Sequence, residues 1–494
     1  MSKTMKKAEL VFIPSPGVGH LRSTVELAKL LLHRDHCLSI TVLVMQRPVD
    51  NKVNPYLHSL DNDINIIRLP NVDPSPPKSS SRISSFNSFI ESHKPNVREA
   101  VAKLVHAESA SDDSPRLAAF VLDMFCTSMI EVANDFGVPS YVFYTSSAAF
   151  LGLKFYAQAL FDEQKKLLTD LNDSETDLEV PGLVNSVPVR VLPAVLLDKD
   201  WSTAFFEQAR RLRGVKGIIV NTFMELESYA VKSFSEGKMI NVPPVYTVGP
   251  VLNLKDDGNE QGSGGSITKS EIMEWLDDQP RSSVVFLCFG STGSFDEDQV
   301  KEIASALEHS GHGFLWSLRQ PPSKGHIGYP SDYTKLKDVI PEGFLDRTAK
   351  IGKVIGWAPQ VSILAHEAIG GFVSHCGWNS VFESIWFGVP NATWPMYADQ
   401  QFNAFKMVIE LRLAVEIKMD YIKEISGNSL TIVSAEDIEK GIKKLMKGDG
   451  EIKKRMVEMS EKSRKALMEG GSSFSSLGCF IDDVMENIGS KVPN

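Results

Sequence analysis

Short apolar runs alternate with amphipathic stretches along the chain. Glu9-Leu-Val-Phe-Ile13 reads as a strand, closed by Pro14-Ser-Pro-Gly-Val-Gly19. Apolar residues then recur at helical spacing, with Leu21, Val25, Ala28 and Leu32 on one face. Residues 39–44 and 64–69 read as further strands, followed by a Pro/Ser-rich loop over 70–85. Residues 117–122 form a buried strand ending at Asp123, and 141–144 follow a Gly-Val-Pro turn. Strands alternating with helices predict βαβ units and a parallel sheet.

Residues 255–266, KDDGNEQGSGGS, are polar, Gly-rich and aperiodic, so they read as a linker. The α/β pattern then restarts, with strands at 283–289, 313–318, 353–356 and 371–374. Two halves of similar size predict an α/β protein with two Rossmann-like, doubly wound domains facing a cleft. The expected boundaries are 1–252 and 271–474, joined by 253–270, with a closing helix in 475–494. Residues 437–467 carry Lys and Glu at helical spacing, with Ser434 as the N-cap. Interspersed acidic residues make that stretch a solvated helix face.

The 494 residues include 52 basic and 62 acidic side chains, a formal charge of −10. That balance argues against a nucleic-acid partner, which needs a basic face. It leaves room for a small anion bound by backbone dipoles. The cysteines at 37, 126, 288, 376 and 479 are scattered and form no CxxC pair, so neither a zinc site nor a disulfide framework is expected. The polar start predicts no secretory signal. The longest apolar stretch, 141–161, is broken by Thr145-Ser-Ser147 and Lys154, so no membrane span is expected. The expectation is a soluble cytoplasmic protein.

Candidate chemistry sits where strands end. His20 follows the first strand, and ligands of parallel sheets bind beyond the carboxyl ends. Asp123 ends another strand, and a carboxylate there would fix the tautomer of a neighbouring imidazole. The ordinary readings are a surface histidine and a capping aspartate. His375-Cys-Gly-Trp-Asn-Ser380 links a strand to a helix start, an outline that suits a diphosphate as well as ordinary capping. Gly290-Ser291 stands at another strand end and offers further donors. Trp357-Ala-Pro-Gln360 presents an exposed flat ring for a base or sugar. Glu383, four residues after Asn379, suits a ribose diol. Asp399-Gln400 suits sugar hydroxyls. Three D-x-D triplets, at 61–63, 198–200 and 296–298, read as loops and a helix start rather than metal sites.

The stretch from Trp357 to Gln400 carries WAPQ, HxAxGGFxxHCGWNS, GVP, WP and ADQQ. It resembles the 44-residue signature of plant secondary-product glycosyltransferases. PxPGxGH near the start, VLD at 121–123 and GS at 290–291 extend the likeness along the chain. The resemblance is to plant family-1 UDP-sugar-dependent glycosyltransferases and implies the GT-B fold. It implies an acceptor mainly on the N-terminal domain and a UDP-sugar mainly on the C-terminal one. It also implies a C-terminal helix, 475–488, crossing back to the first domain. By the same resemblance His20 is the general base and Asp123 its orienting partner. Trp357 and Ala358 take the uracil, and Gln360 and Glu383 the ribose. Ser291, His375, Asn379 and Ser380 take the diphosphate. Trp378, Asp399, Gln400 and Thr145 surround the sugar, and Gln400 is the family's residue for glucose. Phe125 and Phe150 are candidate walls of the acceptor pocket, with core packing as the ordinary reading. The sequence departs from the family at Asn391, where an apolar residue is common, and at Arg412, where glycine is frequent.

The activity so implied is inverting transfer of glucose from UDP-glucose to a flavonoid, other phenolic or terpenoid hydroxyl. UDP-glucose is the co-substrate, with no metal or further cofactor, and the family habit is a monomer. Another UDP-sugar, or a non-catalytic binder on the same fold, is the alternative. An oxidoreductase would need G-x-G-x-x-G after the first strand, and Arg22 stands at the third glycine position.

Overall fold

A computed structural model describes residues 7–47, 56–57, 64–72, 82–110, 114–165, 168, 177–196, 199–237, 239, 241–254, 267–323, 329–422, 431–447 and 450–489. Two parallel sheets carry the fold. The first holds seven strands: β1 (Ala8–Ile13), β2 (Leu38–Val44), β3 (Asn65–Arg68), β4 (Arg116–Asp123), β5 (Ser140–Tyr144), β6 (Gly217–Val220) and β7 (Val245–Thr247). Their order is β3-β2-β1-β4-β5-β6-β7. The second holds β8 (Val284–Cys288), β9 (Gly313–Ser317), β10 (Gly352–Ile355), β11 (Ile369–Ser374), β12 (Asn391–Thr393) and β13 (Ala414–Glu416), in the order β10-β9-β8-β11-β12-β13. Both sheets are parallel throughout and reverse their winding beside their first strand. Buried apolar residues cover both faces of each sheet, which is why the inner strands read as unbroken apolar runs.

Five helices position the site: α1 (Val18–Arg34), α2 (Ala148–Gln164), α3 (Met224–Ser235), α4 (Trp378–Phe387) and α5 (Ser472–Gly489). Gly17, at φ +118, makes the turn that lets α1 start directly after β1. α5 packs on the first sheet. Asp483 on α5 accepts from Tyr141 at 2.6 Å and Tyr246 at 3.1 Å and pairs with Lys216 at 2.7 Å. Phe480 lies edge-on to Tyr141 at 5.0 Å.

The halves meet through an apolar cluster of Phe223, Leu226, Trp378, Phe382 and Met407. Beside it the buried Glu227 on α3 accepts from the N–H groups of Ala148 and Ala149 at the start of α2, and from Lys406 of the second half. A carboxylate at a helix N-terminus and a buried cation thus satisfy each other across the join.

Some expectations change. The Pro/Ser-rich loop ends early, because Arg82–Ser92 is a helix burying Ile83, Phe89 and Ile90. The charged stretch is two helices, Ala435–Lys447 and Gly450–Leu467. Ser434 does cap the first, its hydroxyl accepting from the Asp437 N–H at 3.2 Å. Arg412, the family's frequent glycine, stands at φ +54, a left-handed conformation that favours glycine. Asn391 is fully buried, its amide donating to Ser384 at 2.8 Å. Asp296 is the N-cap residue of the helix Glu297–Ser310. The expected linker over 255–266, the triplet at 61–63, and the side chains of Asp198 and Asp200 lie outside the described residues. Among the described residues no helix is long and apolar enough to cross a membrane. All five cysteines are free.

Candidate active site

Each sheet has its topological switch beside its first strand, and the two switches face one cleft. In the first half the switch lies between β1 and β4, whose ends pair level at Ile13 and Leu122. His20 comes off α1 just past β1, and Asp123 ends β4. Their side chains meet at 2.8 Å, Nδ1 to Oδ2. A carboxylate only accepts, so Nδ1 carries the proton and Nε2 keeps its lone pair. The other oxygen, Oδ1, accepts from the Phe125 N–H at 3.0 Å, which locks the carboxylate. Asp123 therefore caps its loop and orients the imidazole at once. Burial pushes the His20 pKa down, but the charge and hydrogen bond of Asp123, with Asp399 further off, outweigh it. The net pKa lies above that of a free imidazole, with Arg47 pulling the other way.

In the second half the switch lies between β8 and β11, level at Cys288 and Ser374. Gly290 follows β8 and His375 follows β11, leading into α4 through Gly377. A Cβ on Gly290 or Gly377 would come within 2.6 Å of His375 Nε2, so two glycines seat the imidazole. Burial alone lowers the His375 pKa to about 4, so the ring is neutral. Its buried Nδ1 has no protein partner. Beside it the first N–H groups of α4 are unpaired by helix geometry. Asn379 and Ser291 are exposed at this mouth. Asn379 donates to Ser23 of the first half at 3.3 Å.

Gln360 gathers two more of the expected residues: its amide donates to Ser380 at 2.8 Å and Glu383 at 2.5 Å. Trp357 is half-buried rather than exposed. The Arg319 guanidinium stands 5.2 Å over its ring, held by Asp332 at 2.9 Å. Ala358 is buried beside it. Asp399 reaches across the cleft and accepts from Ser146 of the first half at 2.5 Å. Among the described residues no group of three His, Cys, Asp or Glu could hold a metal ion.

Four further expected residues have other protein contacts. The Trp378 ring packs 4.9 Å from Phe382, and its N–H donates to the Asn221 carbonyl at 2.7 Å. Only its backbone, at the start of α4, faces the switch. Gln400 is 4% exposed, and its amide oxygen accepts from the Met396 and Tyr397 N–H groups, so it shapes the turn that carries Asp399. Thr145 lies 3.5 Å from His20 Nδ1. Phe150 is core, packed against Phe205 and Phe402 at 5.8 and 6.0 Å. Phe125 by contrast is half-buried and edge-on to His20 at 5.5 Å. Sequence reasoning missed Ser146, Arg319 and Arg47. All three follow strand ends, Ser140–Tyr144, Gly313–Ser317 and Leu38–Val44, the same position that singled out His20 and Asp123.

A family model described as UDP-glucoronosyl and UDP-glucosyl transferase matches residues 239–461. The chain is 57% identical over 488 residues to a UDP-glucose flavonoid 3-O-glucosyltransferase of Fragaria ananassa, covering 97% of this chain and 99% of that protein. It is 54% identical over 476 residues to an anthocyanidin 3-O-glucosyltransferase of Manihot esculenta, covering 95% and 100%. Among solved structures it is similar to a transferase of Siraitia grosvenorii in complex with UDP, at TM-score 0.85 and 51% identity, covering 97% and 100%. It is also similar to a Medicago truncatula UGT complexed with UDP-glucose, at TM-score 0.84 and 41% identity, covering 98% and 100%.

Proposed function

The chain belongs to the plant family-1 UDP-sugar-dependent glycosyltransferases of GT-B fold, and from that we propose that it moves glucose from UDP-glucose to a hydroxyl of a small lipophilic acceptor. The acceptor is a flavonoid, another phenolic or a terpenoid, held mainly by residues 1–252, with the UDP-sugar mainly on 271–474. The His20–Asp123 contact at 2.8 Å carries the reading. An oriented imidazole with a free Nε2, at a sheet switch that faces a second anion-suited switch, is what a base-assisted displacement requires.

In the reaction His20 Nε2 takes the acceptor proton as the acceptor oxygen bonds to the anomeric carbon. The bond from that carbon to the diphosphate oxygen breaks, and the configuration inverts to a β-glucoside. Asp123 stabilises the imidazolium that forms. The N-terminus of α4, His375 and Ser291 receive the negative charge of the leaving UDP. The uracil stacks on the Trp357 face opposite Arg319, and the ribose meets Gln360 and Glu383. Asp399, held by Ser146, faces the sugar.

The test is to incubate the protein with UDP-glucose, a chelator and a panel of flavonoids, simple phenols and terpenoid alcohols. Mass spectrometry then looks for one added hexose. A hexoside is the expected product. Saturable acceptor binding without UDP release would replace the transferase by a binder.

A further inference from the structure

Arg47 follows β2 and is half-buried. Its Nη2 comes within 4.0 Å of the place a Cβ would occupy on Gly17, three residues before His20. Its guanidinium stands 5.9 Å from the Phe86 ring centre. Phe86 meets Phe125 edge-on at 5.9 Å, and Phe125 meets His20 at 5.5 Å. A row of rings thus runs from the base to a cation. From the second half, the Tyr329 hydroxyl reaches the same point over Gly17 at 4.0 Å. The charge of Arg47 is felt at the imidazole, where it opposes Asp123 and Asp399.

This arrangement has a chemical consequence. A neutral phenol needs only the rings and the base. An acceptor bearing its own carboxylate would meet Asp123 and Asp399 beside His20, and that repulsion has to be offset. We infer that Arg47 is a specificity-determining residue that binds the acid group of a hydroxylated aromatic acid while the ring lies along Phe86 and Phe125 and the hydroxyl meets His20. The inference rests on the reading of His20 as base. The diphosphate is a competing partner for the cation. The rings place Arg47 on the acceptor side, however, while Gly290, His375 and α4 form the anion site of the other half.

The test compares 4-hydroxybenzoate and 4-hydroxycinnamate with their methyl esters in wild type, Arg47→Met and Arg47→Lys. In Arg47→Met the KM for each acid should rise about tenfold more than the KM for its ester, the loss of one charge-assisted hydrogen bond. Arg47→Lys should restore part of the difference. Equal changes for acid and ester, or none, overturn the inference. So does an equal rise in the KM for UDP-glucose, which would assign Arg47 to the donor. So does a wild type that uses the esters and refuses the acids, or an alkali-labile glucose ester as the main product. The transferase reading stands or falls separately: hexose transfer to the neutral esters supports it whatever Arg47 does. Failure on every acceptor removes both.

Discussion

Between β1 and β4 the first half places a charged pair, His20 and Asp123, with Asp399 and Arg47 close enough to bias it. Between β8 and β11 the second half places glycines, a neutral His375 and the start of a helix. Apart from the edge strand β7 the strand order is the same in both, so the fold supplies two equivalent crevices and the side chains decide their use. On the proposed reading the first moves a proton and the second holds an anion on backbone dipoles. The first side keeps a histidine paired with a carboxylate. The other side has its nearest histidine silenced by burial.

Changing the charged side should have the largest effect. His20→Ala is expected to lower transfer to a weakly acidic alcohol by ~10²–10⁴-fold, the usual worth of general-base assistance. UDP binding, measured by calorimetry, should stay near wild type. Near-normal turnover would break the contrast between the halves, because the first would then be a binding surface too.

Asp123→Asn probes the same side through pH. The base works only when neutral, so kcat/KM falls as pH drops through the His20 pKa. With Asp123 in place that limb lies above ~6.5, the value of free imidazole. Without its charge, burial prevails and the limb moves to lower pH, while kcat falls because the tautomer is no longer fixed. An unmoved limb would mean that Asp123 only caps its loop.

Gly290→Ala tests the other crevice. The new Cβ would press on His375 at a residue with φ +75, a strain of order 1–3 kcal/mol. UDP affinity should drop by about tenfold, with the pH limb of transfer unchanged. A shifted limb would show that the two crevices are not independent.

The same contrast explains what could be read from the sequence. The anion side is a strand, a turn and a helix in one stretch, 357–400, so local spacing aligns its residues. The charged side is assembled from separate loops. His20 and Asp123 stand 103 residues apart, and only the β1–β4 pairing brings them together. Ser146, Phe86 and Arg47 come from three further segments. Phe150 and Trp378 are hard to read for another reason: an aromatic at a helix start looks the same whether it lines a pocket or packs between halves. Strands of three or four residues, such as β6, β7, β12 and β13, are too short to show a period.

The smallest expected effect separates stability from chemistry within the second half. Arg412 sits at φ +54 between the π-helical turn Lys406–Glu410 and β13. The backbone there is already tied, with Leu413 donating to the Met407 carbonyl at 2.8 Å. A side chain in that conformation costs ~1–2 kcal/mol. Arg412→Gly would relieve it, and the extra freedom of glycine in the unfolded chain offsets about half. The net gain is expected at or below ~1 kcal/mol, read as a small rise in Tm. Lys406 of the same turn is paired with Glu227, so the segment is held from the first half as well. The repair should therefore leave kcat, both KM values and the pH limb where they were. A change in the KM for UDP-glucose would show that strain at this turn reaches the anion crevice through the buried pair.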